Sequence, residues 1–216
     1  MKAQSDKTAI RRYDLSRPLK YAMQDDILTK EHTFFDYGCG RGDDLEILLS
    51  MNIKCEGWDP THRPKVKKKP ADIVNCGFVI NVIEDQQERS KALLEAFALT
   101  KKVLLVASML DISSNTPASC RLFGDGHLTS RNTFQKLYSQ TELREYINHA
   151  LNVESIPAAP GIFYVFKDEE TKERFLENRT RRHIEFLTRP RISIAEKYES
   201  HRDLLEDFMQ AIYKLG

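Results

Sequence analysis

Asp36-Tyr37-Gly38-Cys39-Gly40-Arg41-Gly42 sets three alternating glycines behind an acid, a spacing suited to holding a ligand against bare backbone. Glycine is needed where a chain turns sharply and approaches another group with no Cβ in the way. The β-rich run from Thr33 to Tyr37 precedes this loop, and Asp43 to Met51 after it predicts a helix with Leu45, Leu48 and Leu49 on one face. A strand, a glycine loop and a helix in that order leave backbone N–H groups where an anionic group can be held. A nicotinamide dinucleotide fingerprint requires glycine at position 43, where this chain has Asp43. Asp59 closes the next predicted strand, about twenty residues on, where a carboxylate can accept hydrogen bonds from both hydroxyls of a ribose. An ordinary Asp-Pro turn is the plainer account of that same residue.

Two further stretches carry candidate chemistry. Asn75-Cys76-Gly77-Phe78 puts an amide and an aromatic ring at the end of an apolar run. Between residues 111 and 136, Gly124-Asp125-Gly126-His127 and Thr129-Ser130-Arg131 lie beyond a predicted strand, where loops of layered α/β folds cover substrate. There His127 can serve as a base near neutral pH, against the plainer reading of a solvated loop histidine. Arg121, Arg131 and Lys136 are the candidate contacts to an anionic substrate such as a phosphate backbone. Arg11, Arg12 and Arg17 make a basic patch with Lys65, Lys67, Lys68 and Lys69 if folding brings them together, and a solvated surface if it does not.

The elements that must position these residues follow from periodicity. Ser5 to about Leu28 predicts a helical opening segment that Pro18 divides in two. Strands are predicted at Ile53 to Trp58, Ala71 to Asn75, Val103 to Leu110, Val153 to Ile156 and Gly161 to Lys167, with helices at Asp85 to Leu99 and Thr141 to Ala150. THRPKVKKKP, residues 61–70, reads as an exposed basic loop. Residues 111–135 have no clean period, and after Asp168 the chain is helical and heavily charged. Alternating strands and helices predict a mostly parallel Rossmann-like α/β sheet with right-handed crossovers, closed by an antiparallel last pair. The expected organisation is a helical segment over residues 1–30, the ligand-binding domain over 31–168 and a helical extension over 169–216.

Composition excludes several classes of protein. Of 216 residues, 41% are hydrophobic and 30% charged, with a net charge of +1, so no global field recruits nucleic acid. No apolar run approaches the roughly 20 residues of a membrane span, and the first residues lack a secretory core. The four cysteines stand singly, which predicts no metal site and a reducing, cytoplasmic setting.

The acid-led G-x-G-x-G at residues 36–42 resembles the first motif of class I methyltransferases. That resemblance implies S-adenosyl-L-methionine as cofactor, with Asp36 on its ammonium side and Gly38, Gly40 and Gly42 behind its methionine part. The segment 71–85 resembles the same family's fourth-strand region, whose continuation lines the methyl-transfer cleft and brings in Asn75 and Phe78. DNA amino-methyltransferases carry [Asn/Asp]-Pro-Pro-aromatic there; Asn75 and Phe78 match its ends, and Cys76-Gly77 replace both prolines. Between Asp59 and Asp72 there is no room for the helix and strand usual in the family. Together AIRRYDLSRPL, FFDYGCGRGDD, GWDPTHRP, ADIVNCGFVINVIED, GDGHLTSRNTFQKLYSQTEL and PGIFYVFKD resemble the methyltransferases associated with DNA phosphorothioation, over most of the chain to about residue 182. The resemblance implies a bacterial modification or defence setting, with DNA or other proteins of such a system as partners. It also implies a chain that continues past AIYKLG. A scaffold that binds the cofactor without turnover, and a nucleotide-binding oxidoreductase, are the two rival expectations.

Overall fold

The computed structural model describes residues 12–111 and 121–188, together with Glu199, Arg202 and Glu206. The first compact unit, residues 1–177, contains a six-stranded sheet, and residues 178–216 form a second unit. In chain order the elements are α1 (Arg17–Gln24), β1 (Phe34–Tyr37), α2 (Asp43–Ser50), β2 (Cys55–Trp58), β3 (Ala71–Gly77), α3 (Gln86–Leu99) and β4 (Thr100–Ala107). They continue with β5 (Arg121–Phe123), β6 (Gly126–Leu128), β7 (Phe134–Gln135), α4 (Gln140–Leu151), β8 (Ile156–Ala159), β9 (Ile162–Phe166) and α5 (Glu169–Thr188). Among the described residues no helix is long and apolar enough to cross a membrane. The expected helical segments at Arg11 and beyond residue 188 fall largely outside the described residues.

The sheet runs β2-β1-β3-β4-β9-β8, parallel through β4 and antiparallel from there. This is the Rossmann-like mixed sheet that the alternation predicts. Its strands alternate apolar residues to two faces, so two cores form, as a doubly covered sheet requires. Phe35, Val74, Leu104 and Phe163 pack under α3 and α4 with Leu93, Ala96, Leu143 and Ile147. Phe34, Ile73, Val103 and Tyr164 pack against α1 and α2 with Leu19, Ala22, Leu45 and Leu48.

Pro18 sits in the first turn of α1, where its missing N–H has no helical partner in any case. The helix expected ahead of it falls mostly outside the described residues. Two local outcomes differ from the sequence expectation. Pro157 and Ala158 belong to strand β8 rather than to a turn, which an edge strand permits because its outer N–H groups have no ladder to complete. Residues 121–135 build a separate three-stranded sheet, β5-β6-β7. Its strands of two or three residues are too short to leave a period in the sequence. No strand or helix occurs between β2 and β3, as the spacing predicts, so β2 forms the sheet edge.

Candidate functional site

From β1 the chain crosses to β2 on one side, and β3 lies on the other. The carboxyl ends of β1 and β3 therefore mark a topological switch point, where open α/β sheets leave a crevice for ligands. Asp36 and Asn75 stand opposite one another there in register. Asp36 is 4% exposed, and the Asn75 amide donates to its Oδ1 at 2.9 Å. Burial pushes the Asp36 carboxyl up to about 7; the Asn75 bond and the nearby Arg12 charge favour its ionised form, while Asp44 and Asp59 oppose it. The other end of that amide, Asn75 Oδ1, is buried with no hydrogen-bond partner. A buried unsatisfied acceptor is costly, and one at a switch point marks a place where a donor is wanted.

The loop after β1 explains its glycines. Gly38, Gly40 and Gly42 all have positive φ, at 89°, 53° and 91°. A Cβ on Gly38 would stand 2.4 Å from Val79 Cγ2, and one on Gly42 would meet the Arg63 guanidinium at 2.8 Å. The loop is thus held between the segment leaving β3 and the loop leaving β2. Asp59 fastens it: its Oδ2 accepts from Gly40 N–H at 3.1 Å, while its Oδ1 accepts from Thr61 and His62 N–H at 2.9 and 2.8 Å. The turn reading of Asp59 is seen directly, and the same carboxylate also tethers the glycine loop.

Phe78 leaves β3 in the left-handed region, at φ 60°, and its N–H donates to Ala107 O at 2.8 Å. A non-glycine residue held there is strained, and such strain gathers at ligand sites. The Arg12 guanidinium lies 5.7 Å from the centre of the Phe78 ring. Arg12 therefore belongs to the glycine-loop region rather than to a patch with the lysines.

Lys68 is instead tied across the opposite face. Its ammonium is 3.9 Å from the Trp58 ring centre, 3.2 Å from Tyr37 Oη, and paired with Glu95. Its ammonium thus lies over both rings of the Tyr37–Trp58 pair, at the β2 edge of the sheet. Lys69 is paired with Glu56.

Of the second candidate group, Lys136 is occupied. It pairs with Asp125 at 3.3 Å and Glu142 at 2.8 Å, and its side chain is 11% exposed. Asp125 in turn accepts a bidentate pair from Arg89 at 2.7 and 3.1 Å, with Arg89 buried to 1% and also donating to the Ile83 and Glu84 carbonyls. This network pins the small sheet to the start of α3, leaving a cavity of about 640 Å³ lined by Glu84, Asp85, Phe123 and Phe134 among others. His127 lies on β6 opposite Leu122 and Gln135, with Nδ1 enclosed and unpartnered. Arg121 and Arg131 are exposed.

The sequence reading passed over Arg63 and Asn81. Arg63 had a signal only in its closeness to Asp59. Asn81 is 1% exposed, with Oδ1 unpartnered and its carbonyl accepting from Lys136 N–H at 2.7 Å; nothing in its spacing marked it.

No family model and no curated protein sequence matches the chain. Solved structures similar to it include the 1,6-didemethyltoxoflavin-N1-methyltransferase of Burkholderia thailandensis with bound S-adenosylhomocysteine. That pair shares 13% identity over 73% of this chain and 92% of the other, at a TM-score of 0.44. The CcbJ methyltransferase of Streptomyces caelestis is 11% identical, over 75% and 93%, at 0.48. The amino pentose methyltransferase CalS10 of Micromonospora echinaspora, solved with S-adenosylmethionine, is 12% identical, over 74% and 100%, at 0.46.

Proposed function

We propose that the chain is an S-adenosyl-L-methionine-dependent methyltransferase whose cofactor lies at the switch point between β1 and β3. The observation that carries this reading is the buried Asp36–Asn75 pair, its amide oxygen unsatisfied, beside a glycine loop whose three glycines all have positive φ. The residues suit the group. The ionised Asp36 carboxylate faces an ammonium, Asn75 Oδ1 accepts from a donor, and Gly38, Gly40 and Gly42 let the cofactor lie on bare backbone. Asp59 keeps that backbone in place through Gly40, and Phe78 closes the side of the crevice next to β3.

When bound, the cofactor supplies an electrophilic methyl on a sulfonium. The protein's part is then to orient the acceptor and exclude water. The acceptor we assign is nucleic acid, in keeping with the resemblance to phosphorothioation-associated methyltransferases. The exposed Arg121 and Arg131, with Lys65 and Lys67 on the basic loop, are its candidate phosphate contacts.

One observation favours a second reading, a scaffold that binds the cofactor without turnover. Lys136 is consumed by Asp125 and Glu142, so it is not free to meet an acceptor. Incubation with S-adenosylmethionine and double-stranded DNA, with and without backbone sulfur, separates the two. DNA-dependent release of S-adenosylhomocysteine, lost in Asn75→Leu, is expected of the enzyme. Cofactor binding with no release on any DNA would favour the scaffold.

A further inference from the structure

Residues 12–16 form a strap that is fastened to the start of α2. Arg12 N–H donates to Asp43 Oδ2 at 2.6 Å, and Ser16 N–H donates to Asp44 Oδ1 at 2.8 Å. Both acids stand in the first turn of α2, immediately after the glycine loop. Carboxylates are favoured at that end of a helix, so the latch rests on groups the helix itself stabilises. The strap carries the Arg12 side chain to the ring of Phe78. Among the described residues no carboxylate forms an ion pair with this guanidinium.

We infer that Arg12 holds the carboxylate at the amino-acid end of the cofactor, on the opposite side of that group from Asp36. The inference rests on the cofactor reading above. An α-amino acid carries its ammonium and its carboxylate on one carbon, so their protein partners must be neighbours. Asp36 is the buried acid of the site, and Arg12 is the cation whose charge favours its ionised form. Arg63 is placed differently, stacked on Gly42 at the head of α2. Guanidinium suits the task because its planar fork matches a carboxylate with two parallel hydrogen bonds, while its flat face rests on Phe78.

Binding of S-adenosylmethionine and of its decarboxylated form, which differ only in that carboxylate, tests the assignment. The wild-type chain is expected to prefer the intact cofactor by roughly tenfold or more. Arg12→Met should lose that preference by weakening the intact cofactor alone, and Arg12→Lys should restore part of it. Because the latch uses the backbone N–H of residue 12, these substitutions leave the strap fastened. Equal weakening of both ligands by Arg12→Met would make Arg12 a structural residue and overturn the inference. So would loss of the preference in Arg63→Met with Arg12→Met unaffected. A wild-type chain that binds neither ligand would remove the cofactor reading itself, and this inference with it.

Discussion

The behaviour of the site turns on Asp36. Its spacing ahead of the glycines was legible in the sequence, and so was an amide at position 75. The hydrogen bond between them was not, because it depends on the register of β1 against β3. Burial raises the Asp36 carboxyl to about 7 from the ordinary 3.8, so the folded chain holds a proton that the unfolded chain has released. The sign follows from linkage: this group's favourable contribution to the free protein is fully present below about 3.8. It is lost as pH rises through about 7. A ligand's ammonium beside Asp36 requires the opposite, the ionised form. Affinity for S-adenosylhomocysteine should therefore be level above pH 7 and fall by up to about tenfold per unit below it. Asp36→Asn should flatten that profile at a weak value. A flat profile in the wild-type chain would show that Asp36 does not meet the ligand's ammonium.

Among the elements, five of the six sheet strands were legible as short apolar or β-rich runs bounded by turn residues; β8 was not, since the run expected at Val153 to Ile156 meets the observed Ile156–Ala159 only at Ile156. The small sheet was not, since strands of two or three residues carry no periodicity and Arg89–Asp125 joins residues 36 apart. That pair anchors the small sheet to α3 with an arginine at 1% exposure. Removing one partner strands a buried charge, whereas an exposed ion pair contributes little. Asp125→Ala should cost roughly 2–4 kcal/mol in denaturant unfolding, with Asp125 itself partly solvent-screened. It should leave cofactor affinity within about threefold, because the cofactor residues lie at β1, β3 and the glycine loop. A loss under about 1 kcal/mol would class the pair with surface contacts.

For the whole molecule, the short connection from β2 to β3 carries no strand or helix, and a basic loop fills it. Lys68 covers Trp58 and Tyr37, Asp59 ties the loop to Gly40, and Arg63 rests on Gly42. The sequence disclosed the gap through its length alone; how it is filled depends on cation–aromatic and backbone contacts that no motif encodes. The central claim is that this shortened sheet still holds a methyl-donor cofactor at its switch point. Calorimetric titration of the purified chain with S-adenosylhomocysteine, with NAD as the comparison, tests it most directly. The account predicts saturable one-to-one binding of S-adenosylhomocysteine and none of NAD. Binding of NAD alone, or of neither, would contradict it.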